Sequence, residues 1–92
     1  MTSLTEHTHA IADILKARKQ TVAVAETSAG GLVSAQLLAV PGASAYFVGS
    51  GVLYTGDARA ALAGISDSDM GNIRSSSEPF AQLLAKTVRE RL

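Results

Sequence analysis

Apolar positions in the first part of the chain follow the period of a helix, then that of a buried strand, then that of a helix again. Residues 4–18 begin with a serine–glutamate capping pattern and carry apolar side chains at helical spacing, which predicts a first helix. Residues 21–25 are small and apolar on both faces, as in a strand that helices cover on each side. Residues 32–40 have a broad apolar helical face, and the Pro-Gly pair that follows ends this second helix.

The rest of the chain repeats the order of strand and helix. Residues 47–54 have the pattern of a second strand, whose two glycines are typical of close approach by a ligand or another backbone. We expect a short helix over residues 57–63 and then a polar loop over residues 65–77. A hydroxyl, an acidic residue and a proline then begin the last helix, which has a clear apolar face over residues 77–92.

This order predicts an α/β fold built on one βαβ unit. The crossover through the second helix makes the two strands parallel, and helices can cover both faces of the pair. Two strands alone form a poor sheet, and an α/β pattern would place a further strand after the last helix. We therefore expect residues 1–92 to form a single domain that is incomplete at its C-terminal end, or a homo-oligomer in which another chain completes the sheet.

Composition and charge exclude several kinds of partner. Eight basic and eight acidic side chains give no net charge and no basic surface for nucleic acid. No apolar run approaches the roughly 20 residues that span a bilayer, and the first ten residues lack an apolar signal core. We therefore expect a cytoplasmic protein that binds no membrane. Cysteine is absent from the sequence, so disulfides and thiolate metal sites are excluded.

The loop between the first strand and the second helix is the best candidate for a site. Thr27 and Ser28 supply hydroxyls, and Gly30 and Gly31 let the backbone come close to a ligand. The first N–H groups of the following helix have no partner within the helix and favour an anion. The alternative is structural: Thr27 or Ser28 caps the helix, and the glycines only permit a tight turn.

A second group of candidates follows the second strand. Tyr54 and Thr55 lie where that strand ends, and ligands of parallel sheets bind outside the carboxyl ends of the strands. We therefore expect these two residues to lie beside Thr27 and Ser28. Arg59 follows closely and can bind a phosphate or a carboxylate, although a solvated arginine is the more frequent case.

No metal or cofactor is predicted. Asp67, Asp69 and Glu78 have part of the spacing of a calcium loop, but the centre of that pattern does not match. His7 and His9 are two positions apart on a predicted helix, so they face different directions.

Several short motifs together resemble one known family, the C-terminal domain of the competence/damage-inducible protein CinA, also known as nicotinamide-nucleotide amidohydrolase. The similarity runs in order over about residues 5–92, nearly the whole chain, and would make the chain an N-terminal portion of that domain. The segments that carry it are residues 24–32, 40–47, 51–55 and 77–79.

The resemblance implies a three-layer α/β/α fold and hydrolysis of the carboxamide of nicotinamide mononucleotide to the acid and ammonia, without a metal. The family loop usually reads Glu-Ser-Cys-Thr-Gly-Gly, so the family's serine nucleophile falls on Thr27. The family tyrosine falls on Tyr54, and a family lysine falls on Arg59. Unlike a lysine, an arginine stays protonated and cannot act as a base.

The resemblance therefore leaves more than one function open. The first is an amidohydrolase in which Thr27, Ser28 and Tyr54 are catalytic. In that site, a nucleotide like nicotinamide mononucleotide would be bound by Ala29, Gly30, Gly31, Thr55 and Arg59. The second is a non-catalytic member of the family that binds an anionic nucleotide, and the third is a member whose role is assembly.

Overall fold

The structure, a computed structural model, describes residues 3–92. Its strands and helices follow one another in the predicted order, apart from one additional short helix. In that order they are α1 (Leu4–Arg18), β1 (Val22–Glu26), α2 (Leu32–Leu38), a short 3₁₀ helix (Ala43–Ala45), β2 (Phe47–Val52), α3 (Gly56–Ala63), α4 (Asp67–Met70) and α5 (Glu78–Arg91).

The two strands are parallel, as the βαβ pattern predicts, and their register contains one irregularity. Val22 pairs with Phe47, but Ala23 pairs with Gly49, so Val48 is an extra residue in β2. Beyond this bulge the two strands stay in step up to the pair formed by Glu26 and Val52. Because side chains alternate along a strand, Val24 and Glu26 project from one face, and Ala23 and Ala25 from the other.

Helices pack on both faces of the sheet, which confirms the α/β fold. On one face, Val22 and Val24 pack against a core from α1, α2 and the 3₁₀ region, in which Tyr46 is wholly buried and donates a hydrogen bond to the Leu37 carbonyl. On the other face, Ala25 packs against a second core. The buried members of that second core are Leu53, Ala63, Ile65, Met70, Phe80 and Leu84.

The element bounds differ from the prediction by more than one residue in three places. The helix α2 ends at Leu38 and the strand β2 at Val52, both before their predicted ends. The prediction of an irregular loop over residues 65–77 is wrong at its start, since Asp67–Met70 form the short helix α4. A capping box explains it: the Asp69 N–H donates to the Ser66 hydroxyl at 3.1 Å, and the Ser66 N–H donates to the Asp69 carboxylate at 2.9 Å.

No helix within residues 3–92 is both long and apolar enough to cross a bilayer.

Candidate functional site

A cleft opens where the two strands end, beside the start of α5. Thr27 and Ser28 follow β1, and Tyr54 follows β2. The side chains from both strand ends meet in one cavity of about 260 Å³, so the structure brings together the three residues that the sequence proposed as catalytic. The residues that line this strand-end cleft are Thr27, Ser28, Tyr54, Ser75, Ser76 and Phe80.

A second cavity, of about 160 Å³, adjoins the strand-end cleft and leads toward the core beneath α5. Thr27, Ser76 and Phe80 line both cavities, while Ala25 and the buried Leu84 line only the inner one. Thr27 therefore lies on the α5 side of the sheet. This placement follows from strand alternation, because Glu26 projects toward α2 and the next residue projects the other way.

Ser75 and Ser76 are cleft residues that the sequence reasoning missed. The sequence pattern places Ser75 in a polar loop and predicts only a helix start at Ser76 and Ser77. Ser77 does cap α5, by accepting a hydrogen bond from the Phe80 N–H at 3.3 Å. Ser76 has a left-handed backbone with a φ of 61°, which is uncommon for a residue other than glycine. Such a conformation costs roughly 1–2 kcal/mol, and it occurs in the segment that lines the cleft.

Glu26, the last residue of β1, binds the first N–H groups of α2 through its carboxylate. Its side chain is 4% exposed and accepts four hydrogen bonds from residues further along the chain. One carboxylate oxygen accepts from the N–H groups of Gly31 at 3.2 Å and Val33 at 3.0 Å. The other accepts from the Ser34 N–H at 3.0 Å and from the Ser34 hydroxyl at 2.6 Å.

This carboxylate corrects both sequence-based interpretations of the loop. The helix start is not available to an external anion, because Glu26 already occupies it. Nor do Thr27 or Ser28 cap the helix, since the N-cap residue is Gly31 and makes no side-chain cap. Gly30 and Gly31 have φ values of 65° and 98°, so the turn that lets Glu26 reach back does need the conformational freedom of glycine.

The environment of Glu26 favours its charged form. Burial raises the pKa of the carboxyl, but hydrogen bonds from Ser34, Val33 and Gly31 together outweigh burial. The pKa of Glu26 therefore lies below its ordinary value of 4.5. The carboxylate is an internal anion that satisfies the positive end of α2 at neutral pH.

Hydrogen-bond donors remain free in the loop next to Thr27. The Gly30 N–H donates to the Thr27 carbonyl at 3.1 Å, and the Leu32 N–H donates to the Ala29 carbonyl at 3.1 Å. The N–H groups of Ser28 and Ala29, by contrast, have no acceptor among residues 3–92. Unbonded N–H donors beside a hydroxyl group are able to stabilise an oxyanion.

Thr55 and Arg59, which follow the second strand, both make structural contacts within the chain. The Thr55 hydroxyl caps α3 by accepting a hydrogen bond from the Ala58 N–H at 3.0 Å. Arg59 is 9% exposed, donates from Nε to the Ile65 carbonyl at 3.1 Å and forms an ion pair with Asp67. The alternative of a solvated arginine is therefore wrong, and the predicted phosphate contact has no counterpart in the cleft, which Arg59 does not line.

The acidic residues of the incomplete calcium pattern also have structural partners. Asp67 pairs with Arg59, and Asp69 belongs to the capping box of α4. Within residues 3–92, no group of three or more histidines and carboxylates is placed to hold a metal ion.

The fold and the cleft together define a class of protein: an α/β protein with a hydroxyl-lined cleft at the carboxyl ends of parallel strands. A comparison with protein families then places the chain within that class. The family model of the CinA C-terminal domain matches residues 4–92, and the chain belongs to this family.

Curated relatives agree with the family model over most of the chain. The chain is 37% identical to a CinA-like protein of Sulfurihydrogenibium sp. over 79 residues, which are 86% of this chain and 20% of the relative. It is 42% identical to a CinA-like protein of Gloeobacter violaceus over 72 residues, which are 78% of this chain and 17% of the relative. The chain therefore spans about a fifth of the length of these relatives.

Solved structures share the fold at lower identity. A CinA superfamily protein from Escherichia coli superimposes with a TM-score of 0.88 at 22% identity, covering 97% of this chain and 52% of that one. A competence damage-inducible protein from Klebsiella pneumoniae gives a TM-score of 0.89 at 21% identity, covering 98% of this chain and 56% of that one. The chain thus corresponds to slightly more than half of the solved proteins.

Proposed function

We propose that this chain carries the nucleophile side of an amidohydrolase site that cleaves the carboxamide of a pyridine nucleotide such as nicotinamide mononucleotide. The observation that carries the proposal is the meeting of Thr27, Ser28 and Tyr54 in one cleft. The resemblance to the CinA family supplies the reaction class, since the family's nucleophilic serine falls on Thr27.

In the proposed reaction, the Thr27 hydroxyl oxygen attacks the carboxamide carbon and loses its proton. The oxyanion that forms accepts hydrogen bonds from the Ser28 and Ala29 N–H groups. The C–N bond then breaks, the nitrogen leaves as ammonia with the added proton, and an acyl ester remains on Thr27. Water hydrolyses this ester to the carboxylic acid and restores the hydroxyl.

The chemistry of the cleft supports a neutral, partly aromatic group as the part of the substrate that enters it. All of its polar side chains are hydroxyls, and its two aromatic residues are Tyr54 and Phe80. A carboxamide on a pyridine ring matches this lining, because hydroxyls can bond the amide and aromatic side chains can pack on the ring. The phosphate of the nucleotide would lie outside the strand-end cleft.

A second function, binding without turnover, is favoured by a specific observation. The residues that line the cleft include no histidine, lysine or carboxylate to take the proton from Thr27. A hydroxyl without a base attacks an amide very slowly. A family member with this lining would hold the nucleotide without cleaving it.

Ammonia release from nicotinamide mononucleotide separates the two functions. If the proposal holds, wild-type protein releases ammonia, Thr27→Ala abolishes the release, and Thr27→Ser retains or increases it because a primary hydroxyl attacks with less steric hindrance. Thr5→Ala, at an exposed position of α1, is the matched control and keeps wild-type activity. Calorimetric binding without ammonia release, in both wild type and Thr27→Ser, would support the second function and overturn the first.

A further inference from the structure

Glu26 is a buried charged group that has no direct part in the proposed reaction. It belongs to β1, but all of its side-chain hydrogen bonds go to the start of α2. Both carboxylate oxygens accept two bonds each, at 2.6–3.2 Å. A serine or threonine cap usually satisfies one or two helix N–H groups, so this carboxylate does more than end a helix.

The contacts of Glu26 enclose the loop that contains Thr27. The Glu26 carbonyl accepts a hydrogen bond from the Leu53 N–H at 2.8 Å, which fixes the start of the loop to the residue after β2. The carboxylate fixes the end of the loop to α2. Residues 27–31 are therefore held at both ends by Glu26, through its backbone carbonyl at one end and its carboxylate at the other.

Such a double attachment is needed because the 27–31 loop is intrinsically adaptable. Gly30 and Gly31 both have left-handed backbones and can reach many alternative conformations at little cost. A nucleophile on a loop of this kind reacts well only if one arrangement dominates, since a misplacement of about 1 Å can cost roughly a hundredfold in rate.

Glu26 also determines which N–H groups remain free. It takes up the donors of Gly31, Val33 and Ser34, which would otherwise form the anion site of the helix start. The donors of the loop that have no acceptor among residues 3–92 are then the N–H groups of Thr27, Ser28 and Ala29. With the helix start occupied by Glu26, these are the N–H groups left for an oxyanion beside the Thr27 hydroxyl.

We propose that Glu26 is a positioning residue that holds Thr27 and the Ser28 and Ala29 N–H groups in the arrangement needed for attack on a carboxamide. The reaction part of this inference rests on the proposed function. The loop-fixing part can be measured without substrate, so the two can fail separately.

The test compares Glu26→Gln with Ser34→Ala. The glutamine keeps the shape of the side chain but places an NH₂ group against backbone donors, whereas Ser34→Ala removes one hydroxyl and keeps the carboxylate. We expect Glu26→Gln to lower kcat for nicotinamide mononucleotide by roughly tenfold to a hundredfold with little change in KM. Ser34→Ala should lower it by a smaller factor, and Glu6→Gln, on the exposed first turn of α1, should have no effect.

The accompanying measurement is the NMR chemical shift of the Ser28 and Ala29 amides, together with the hydrogen-exchange rate of the Gly30 amide, which donates to the Thr27 carbonyl within the loop. In Glu26→Gln we expect the Ser28 and Ala29 signals to move and the Gly30 amide to exchange faster, with a graded change in Ser34→Ala. If melting temperature falls while these signals and kcat stay at wild-type values, Glu26 is only a helix cap and the inference is overturned.

The remaining outcomes distinguish the inference from the proposed function. If no variant, wild type included, releases ammonia but the amide signals still respond to Glu26→Gln and Ser34→Ala, the proposed reaction fails and the loop-fixing part stands. If ammonia is released and kcat is the same in wild type, Glu26→Gln and Ser34→Ala, the proposed function stands and the positioning role is overturned. Should Glu26→Gln not fold, Ser34→Ala alone decides the question by the same criteria.

Discussion

The chain contains two junctions between a parallel strand and the helix that follows, and they use their hydroxyl residues in opposite ways. After β2, Thr55 caps α3 with its own hydroxyl, so that hydroxyl is engaged in structure. After β1, Glu26 caps α2, and the hydroxyls of Thr27 and Ser28 line the cleft. A hydroxyl at a helix start is available for chemistry only where another group satisfies the helix.

The glycines differ between the two junctions for the same reason. Gly30 and Gly31 have positive φ values because the chain must turn back for Glu26 to reach the α2 donors. Gly56, at the start of α3, has an ordinary helical backbone, since Thr55 bonds the Ala58 N–H without any reversal of the chain. The β1 junction therefore needs a longer loop with two left-handed glycines, and in return the Thr27 hydroxyl is not needed as a helix cap.

Removing the capping group should produce the largest difference in stability between the two junctions. Glu26→Ala leaves three buried or partly buried N–H groups and one hydroxyl without an acceptor, and we expect it to lower the free energy of unfolding by about 3 kcal/mol. Thr55→Ala removes one exposed cap and should cost about 1 kcal/mol. Denaturant unfolding measures both. Equal costs would show that Glu26 is an ordinary cap and would remove the contrast.

A smaller effect of the same kind follows from acid titration. The pKa of Glu26 is lower in the folded protein than its ordinary value of 4.5, so its stabilisation is complete above that pH and is lost as the pH falls through the folded pKa. The protonated acid keeps its shape and part of its accepting capacity, so the loss is smaller than in Glu26→Ala.

The measurement is the free energy of unfolding as a function of pH, compared between wild type and Glu26→Gln. The wild-type value should fall below about pH 4.5, and the difference between the two proteins should shrink there. The pKa of Asp69 is also lowered, by hydrogen bonds from Ser66, so Asp69→Asn must be measured in parallel. A constant difference between wild type and Glu26→Gln down to pH 3 would contradict the role of the charge.

Much of the fold could be predicted from the sequence because local signals agreed with it. The capping pattern and the apolar spacing of the first helix predicted both of its ends correctly, and the third helix ends at residue 63 as predicted. The short helix α4 was missed because its capping box lies within a polar stretch that has no apolar period. Helices of one turn depend on such side-chain bonds more than on periodicity.

The site was predicted less completely, because the sequence pattern does not show which partners individual side chains reach. Strand order was enough to place Thr27, Ser28 and Tyr54 together. It did not show that Glu26 reaches forward to Ser34, or that Arg59 turns inward to Ile65. Both contacts join residues six to eight positions apart through turns whose backbone angles the sequence pattern does not specify. Ser76 was also missed as a cleft residue, because the sequence pattern does not indicate its left-handed backbone.

The smallest effect concerns the glycines of the two junctions and tests whether the reversal of the chain, and not lack of space, sets the β1 junction apart. A Cβ atom at Gly31 would lie 3.6 Å from the Val52 side chain, which is an ordinary contact, so the cost of Gly31→Ala comes from its φ of 98°. We expect that cost to be about 1–2 kcal/mol. Gly56→Ala meets the Arg59 guanidinium at a similar 3.6 Å but has a helical backbone, so it should be neutral or stabilising by up to about 1 kcal/mol. Thermal unfolding of the two variants gives the comparison directly. If both alanines cost the same, the strain argument fails, and the freedom of Thr27 must then come from the Glu26 carboxylate alone.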